Sequence, residues 1–175
     1  MEKPRFFHLI LHKMFTSSDL KDKASDRKKA NKELFQRLRK KRPADLDQVM
    51  MKLHYEAFER INCLDCANCC KNISPFLTDK DIQRIAKYLR MKPSDFVGNY
   101  LIEDEENDFV FRESPCPFLM KDNCCSIYEV RPRACREYPH TDRKRFVQIL
   151  DLTLKNSFIC PAVFEIIEEL HSVYE

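Results

Sequence analysis

The stretch from residue 63 to residue 70 reads CLDCANCC and is the densest run of cysteine in the chain. Half of its positions are cysteines: Cys63, Cys66, Cys69 and Cys70. A cysteine buried in a core behaves as a small apolar residue and has no reason to recur every third position. A C-x2-C spacing instead lets two thiolates converge on one soft cation such as zinc, or on the irons of an iron–sulfur cluster.

The adjacent pair Cys69 and Cys70 bears on the number of sites. Neighbouring side chains point in different directions, so these two sulfurs would more naturally serve two centres than one. In a continuous helix Cys63, Cys66 and Cys70 would share one face, and Cys69 would lie at its edge. The run therefore predicts either one crowded site or two sites that share a wall.

Composition predicts a mainly α fold. The 175 residues include a single glycine, which argues against a turn-rich all-β protein, and are rich in Lys, Glu, Leu and Arg. No segment approaches the length of an apolar membrane span. The apolar run over residues 6–15 is interrupted by charged and histidine residues, so we do not expect a signal peptide. We expect a cytoplasmic, reducing location, where cysteine spacing favours metal binding or catalysis over disulfides.

A strongly basic segment precedes the cysteines. Residues 21–42 contain eleven Lys or Arg and three acidic residues, within a net charge of +3 for the chain. We expect a mostly solvated helix that ends before Pro43 and docks only near its end, and we divide the chain into a basic helical extension (residues 1–42) and a cysteine-cluster domain (residues 43–175). Nucleic acid is an unlikely partner because Phe35 is the only aromatic residue available there for stacking, whereas a protein partner remains open.

The domain itself is predicted to be a small cysteine-rich metal-binding domain, mainly α, with at most a few short strands. The expected elements are helices over residues 43–62, 79–90 (capped by Thr78), 95–100 and 132–136, a short strand over 109–111, an ambiguous segment over 144–154, and a final helix that begins at Cys160 and Pro161.

A second set of cysteines follows the first: Cys116, Cys124, Cys125 and Cys135. Taken in order, the chain resembles the CxxCxxCC, or YkgJ-type, cysteine-cluster family. The resemblance covers about 100 residues and rests on CLDCANCC, on CPFL at 116–119, on CSIYEVRP at 125–132, on CREYP at 135–139 and on Cys160-Pro161.

This resemblance implies chelation of zinc or iron, and some members are described as iron–sulfur oxidoreductases. The ligands it implies are Cys63, Cys66, Cys69, Cys70, Cys116, Cys125, Cys135 and Cys160, while Cys124 has no counterpart in the pattern. Eight thiols would complete two four-thiolate sites, as zinc or as cubane clusters. The Cys-Pro steps at 116 and 160 are similar to those of ferredoxins, and the scarcity of glycine weighs against zinc ribbons, so iron–sulfur is favoured over zinc.

Three arginines, Arg131, Arg133 and Arg136, are candidates to bind the cofactor. They would tune its potential or hold an anionic substrate, or else neutralise the thiolates and pair with Glu129 and Glu137. His140 is the best non-cysteine ligand candidate. No hydrolase, kinase or dinucleotide motif occurs, so no catalytic residue is assigned. The open alternatives are a metal protein with a redox role, an iron–sulfur oxidoreductase or accessory domain of a modifying enzyme, and a structural zinc adaptor.

Overall fold

The computed structural model of the protein describes residues 17–174, and helices dominate it, as the composition predicted. The helices are α1 (Ser17–Lys41), α2 (Leu46–Arg60), α3 (Cys63–Cys66), α4 (Asn68–Asn72), α5 (Asp79–Tyr88), α6 (Pro93–Tyr100), α7 (Arg133–Glu137), α8 (Leu150–Asn156) and α9 (Pro161–Tyr174). Short 3-10 helices cover Tyr128–Val130 and Phe146–Ile149. The strands β1 (Phe76–Leu77), β2 (Leu101–Glu103) and β3 (Phe109–Phe111) form an antiparallel sheet in the order β1-β3-β2.

The largest apolar cluster, which we call the helical core, lies between α1, α2, α8 and α9. The apolar stripe of α2 is buried as its helical spacing predicted, and the ambiguous segment before α8 contributes Phe146 through a 3-10 turn. These helices cover one another's apolar faces, which is the main source of helix stability in water. The helical core includes Leu34, Leu38, Met50, Leu53, Phe146, Leu150, Ile166, Ile167 and Leu170.

Helix α1 docks along more of its length than the sequence suggested. Leu20 and Ala24 in its first half are buried against Phe164 of α9, in addition to the buried residues near its end. Asn31 interrupts the apolar stripe but is itself buried. Its Oδ1 atom lies 2.8 Å from Nε2 of His171 on α9, so the amide oxygen has a hydrogen-bond partner in the core. Sequence periodicity missed this docking since a polar side chain occupies a core position. The boundary at residue 42 stays a prediction.

A second, smaller cluster lies under the sheet, and we call it the sheet core. Leu77, Leu101 and Phe111 face inward from the strands. Helix α5 covers them, and it begins with the predicted Thr78 cap, which forms a full capping box with Asp81. The other members are Ile82, Ile85, Ala86, Phe96, Phe118 and Ile127. Cys116 and Cys125 pack on the edge of this cluster, so the sheet core positions two of the eight candidate ligands.

Candidate metal centre

The run of four cysteines is divided between two short helices. Cys63 and Cys66 lie on α3, and Cys69 and Cys70 lie on α4. The helix breaks at Ala67, whose φ of 46° is in the left-handed region that residues with a side chain rarely adopt. The run is therefore not one continuous helix, although charge on Cys66 and on Cys70 still raises the pKa of Cys63, as expected of residues on one face.

The first group of thiols consists of Cys63, Cys66, Cys69 and Cys160. Asn68 at the start of α4 donates a hydrogen bond of 2.7 Å from Nδ2 to the carbonyl oxygen of Ile159, which holds the residue before Cys160 against the run. Burial raises the pKa of the Cys160 thiol to about 12, and negative charge on Cys63 and Cys66 adds to the rise. Charge on Cys160 and on Cys63 also raises the pKa of Cys69, and we call these four thiols group 1.

The second group consists of Cys70, Cys116, Cys125 and Cys135, and we call it group 2. The backbone N–H of Cys116 donates to the carbonyl of Cys70 over 2.8 Å, which joins the two segments directly. Burial raises the pKa of Cys135 to about 12, and the charges of Cys70, Cys116 and Cys125 raise it further. Burial likewise raises the pKa of Cys116 to about 11, with Cys70 and Cys125 adding to the rise.

Cys69 and Cys70 stand where the two groups meet. Their sulfur atoms are 3.9 Å apart, and the hydrogen bond between them lowers the pKa of Cys70 and raises that of Cys69. The charges of Cys160 and Cys63 also act on Cys69, whereas Cys116, Cys125 and Cys135 all feel the charge of Cys70. Charge on Cys70 also raises the pKa of Cys63, so the two groups adjoin, and whether they form one site or two stays a prediction.

The ninth cysteine, Cys124, takes part in neither group. Its backbone N–H donates to Asp122 and its carbonyl accepts from Met120, as parts of a surface turn. Desolvation and then the adjacent Asp122 carboxylate raise the pKa of its thiol, with no contribution from another cysteine. Its neighbour Cys125 is instead fixed by a bridge between its backbone and that of Leu119. This placement accords with the absence of Cys124 from the family pattern.

The buried hydroxyl of Tyr138 lies in the electrostatic environment of group 1, without a hydrogen-bond partner among residues 17–174. Burial raises the pKa of Tyr138 well above its ordinary value, and the charges of all four group 1 cysteines add to the rise. A buried O–H without an acceptor costs about 1–3 kcal/mol. A thiolate that remains charged because it binds a metal would supply that acceptor, so the residues present fit the metal.

Asp81 and Arg84 of α5 hold the segment that carries Cys135. Asp81 accepts hydrogen bonds from the backbone N–H of Arg133 (3.1 Å) and from the hydroxyl of Thr78 (2.6 Å), and it pairs with Arg84. Burial raises the pKa of Asp81, but these hydrogen bonds outweigh it and hold the pKa below its ordinary value. Arg84 also donates to the carbonyl oxygen of Arg131 over 2.9 Å. The capping box was readable from the sequence, whereas the bond to Arg133 was not.

The three candidate arginines have different surroundings. The Arg131 guanidinium lies 3.7 Å from the centre of the Tyr128 ring, and its positive charge opposes the rise in the pKa of Cys125 and Cys135. Arg133 forms an ion pair with Glu137, which is one of the two pairings considered from the sequence. Arg136 is exposed on α7. A cofactor-binding role for these residues stays a prediction.

His140 lies close to group 1 in sequence, but its electrostatic neighbours are different. Burial lowers the pKa of its ring, and the charges that act on it come from Glu137, Arg143 and Asp142. Its backbone N–H donates to the carbonyl of Glu137 over 2.7 Å, in a turn where His140 has a φ of 68°. None of these charges belongs to a cysteine, and the role of His140 as a ligand stays a prediction.

All nine cysteines are free thiols. Within the described part of the chain, no three His, Cys, Asp or Glu side chains are arranged so that they could hold a metal ion as they stand. The sulfurs of each group are close enough to act on one another electrostatically, and binding would have to draw them together. None of the helices between residues 17 and 174 is long and apolar enough to cross a membrane.

A mainly α scaffold that presents two neighbouring sets of thiols is characteristic of a cysteine-rich metal-chelating domain. Residues 62–156 match the model of the CxxCxxCC family, which is described as "Putative zinc- or iron-chelating domain". The match covers more than half of the 175 residues, and the chain belongs to this family. Cys160 lies beyond the matched range. Neither the curated proteins nor the solved structures contain a match to the chain.

Proposed function

We propose that the protein binds two metal centres, one through group 1 and one through group 2, and that both are iron–sulfur clusters used for electron transfer. The observation that carries this proposal is the pairing of Cys160 with the run on α3 and α4. Group 1 thereby consists of a C-x2-C-x2-C run completed by a distant cysteine that precedes a proline, Pro161. Ferredoxins that bind cubane clusters combine the same elements.

The division of Cys69 and Cys70 between the groups supports the same proposal. In two-cluster ferredoxins the last cysteine of a closely spaced run binds the other cluster. Cys70 acts on Cys63 and Cys69 within the run, but it alone of the run also acts on Cys116, Cys125 and Cys135, which supports its assignment to the second centre. Group 2 also contains a Cys-Pro step, at Cys116 and Pro117.

Four thiols in each group leave no coordination position for a substrate. Such closed sites are typical of structural zinc and of electron-transfer clusters rather than of catalytic zinc. A bound cluster would accept and release single electrons. The chain's own contribution is to compensate the negative charge, through the guanidinium of Arg131 beside Cys125 and Cys135 and through the free O–H of Tyr138 beside group 1.

The first test is elemental analysis with a visible spectrum on protein purified without oxygen. Iron with acid-labile sulfide, and a brown colour that dithionite bleaches, is the expected result. Colourless protein with two zinc ions for each chain would overturn the iron–sulfur proposal and favour the alternative, a structural zinc protein that serves as an adaptor.

Serine variants test the two ligand sets separately. Cys69→Ser and Cys70→Ser are each expected to lose about half of the bound metal, because each removes one ligand from a different centre. Cys124→Ser is the matched control and is expected to retain full metal content. If Cys69→Ser or Cys70→Ser left the metal content unchanged, the assignment of that residue would be wrong. A single metal centre for each chain in the unmodified protein would contradict the division into two groups.

A further inference from the structure

A groove runs between α1 on one side and α8, with the turn that follows it, on the other. It consists of two adjoining cavities of about 560 and 190 Å³, which share Lys32, Asp151 and Leu154 in their walls. We call it the basic groove, and its charged lining comprises Lys28, Lys32, Arg39, Asp151 and Lys155, together with Gln36 and the aromatic residues Phe35 and Phe158.

The charge in the basic groove is one-sided. Four cations face one carboxylate, that of Asp151, and Arg39 already binds this carboxylate over 2.6 Å. The hydrogen bond from Arg39 lowers the pKa of Asp151, and the charges of Lys155 and Lys32 contribute to the shift. Lys28, Lys32 and Lys155 form no salt bridge with any residue between 17 and 174. The groove therefore has an uncompensated positive charge.

The distribution of charge around α1 directs this positive charge to the groove. Successive residues of an α-helix are rotated by about 100° about its axis. On this basis the cations on the flank of α1 towards α8 fall within about 40° of one another around the axis. The four acidic residues of the helix lie at least about 80° from any of these cations. The cations are Lys21, Lys28, Lys32 and Arg39, and the acids are Asp19, Asp22, Asp26 and Glu33. This acid-free row extends for about 27 Å along the helix, which suits an extended anion better than a small one.

The floor of the groove determines which extended anion fits. Leu154 and Phe35 line it but are only 8% and 2% exposed, so they offer little apolar surface to a docking protein helix. The accessible apolar group is the half-buried ring of Phe158, with the Lys28 ammonium 5.9 Å from its centre. An aromatic ring within a row of cations is the combination by which proteins bind unpaired bases and their phosphates.

We propose that the basic groove binds single-stranded nucleic acid, with phosphates on Lys28, Lys32, Arg39 and Lys155 and a base against Phe158. From the sequence, α1 has only Phe35 for stacking on bases, which weighed against a nucleic-acid partner. The fold buries Phe35 and brings Phe158 to the same helix from the other end of the chain. This function is separate from metal binding and does not depend on it.

The test is fluorescence anisotropy of the full chain with short labelled oligouridylate and oligothymidylate. We expect binding that weakens as salt rises, since phosphate contacts release counterions. Lys28→Glu with Lys32→Glu should weaken binding about tenfold or more and reduce the slope of log K against log salt by about 1.4, from two lost single-strand phosphate contacts. The matched control is Arg37→Glu with Lys41→Glu, which has the same spacing and charge change on the opposite face of α1.

Phe158→Leu separates stacking from charge, because it preserves an apolar side chain and removes the ring. We expect about tenfold weaker binding with an unchanged salt slope. Helical content and metal content should be unaltered in every variant. The proposal is overturned by absence of single-strand binding at low salt, by equal loss in the control pair, or by stronger binding of duplex DNA, polyglutamate or anionic phospholipid vesicles.

Discussion

The helical core and the segment that carries most of group 2 are stabilised by different means. The helical core buries large side chains from four helices, several of them completely. Residues 112–140, which we call the cysteine segment, include only the five-residue α7 and a 3-10 turn as helices. Its buried side chains are Phe118, Ile127, Pro132 and Pro139. Few apolar contacts in one part and many in the other imply that the cysteine segment needs an additional source of stability, and metal binding would supply one.

Removal of the metal should have the largest effect and should distinguish the two parts. Structural metal sites contribute on the order of 10 kcal/mol of folding free energy, far more than four buried side chains can replace. We expect the cysteine segment to lose protection from amide hydrogen exchange in metal-free protein while α2 and α9 retain theirs. Equal protection of residues 112–140 in both states, measured by mass spectrometry, would show that this segment folds without metal.

A substitution that creates a cavity in the helical core should destabilise that core and leave the cysteine segment intact. Phe146 is fully buried between α2, α8 and α9, and Phe146→Ala should cost about 3–5 kcal/mol of unfolding free energy. The group 2 metal should be retained below the lowered melting temperature, because Cys116 and Cys125 pack on the sheet core, whereas Cys160 of group 1 packs on the helical core itself. Leu152→Ala on exposed α8 surface is the control and should cost less than about 0.5 kcal/mol. A loss of the group 2 metal in Phe146→Ala at low temperature would mean that the two parts fold as one unit.

The same contrast explains what the sequence could and could not predict. In the helical core, periodic apolar residues and terminal prolines specify α2 and α9 locally, and the Thr78 cap does the same for α5 beneath the sheet. Strands β1 and β2 are two and three residues long, too short for any periodicity. The helix break at Ala67 had no signal either, since alanine is a strong helix former and rarely adopts a positive φ.

The cysteine site divides in the same way between local and distant information. Spacing and family resemblance identify the eight candidate thiols and set Cys124 apart. Which thiols lie together depends on contacts between residues about 90 positions apart, such as that of Asn68 with Ile159. Sequence order alone left one site and two sites open, and two sites stay a proposal. The hydrogen bond from the N–H of Arg133 on α7 to Asp81 could not be predicted for the same reason. Nothing in the sequence near a capping residue indicates that it also binds a distant residue.

Asp81→Asn should have an intermediate effect, confined to the cysteine segment and the start of α5. Loss of the charged hydrogen bonds to Arg84 and to the N–H of Arg133 should cost about 1–3 kcal/mol. Because the folded-state pKa of Asp81 is lowered, its stabilisation is present above the ordinary aspartate pKa and disappears as pH falls through the lowered value. Unfolding free energies of wild type and variant should therefore converge in acid. Asp79→Asn, an exposed residue of the same helical turn, should show no such difference.

Tyr138→Phe should have the smallest effect and the one that depends most on the metal. In metal-free protein the buried hydroxyl has no partner among the described residues, so its removal should leave stability unchanged or raise it by up to about 1 kcal/mol. In metal-bound protein the same O–H would donate to a charged thiolate of group 1, and its removal should lower metal affinity about tenfold. A chelator competition measures the change in metal affinity, and denaturant titrations of the metal-free and metal-bound proteins measure the change in unfolding free energy. Tyr128→Phe, whose side chain is 54% exposed, should alter neither quantity. If Tyr138→Phe changed the unfolding free energy equally in both forms, the hydroxyl would act only through packing. The variant can stabilise the metal-free form and destabilise the metal-bound form only if the hydroxyl gains an acceptor when the metal binds.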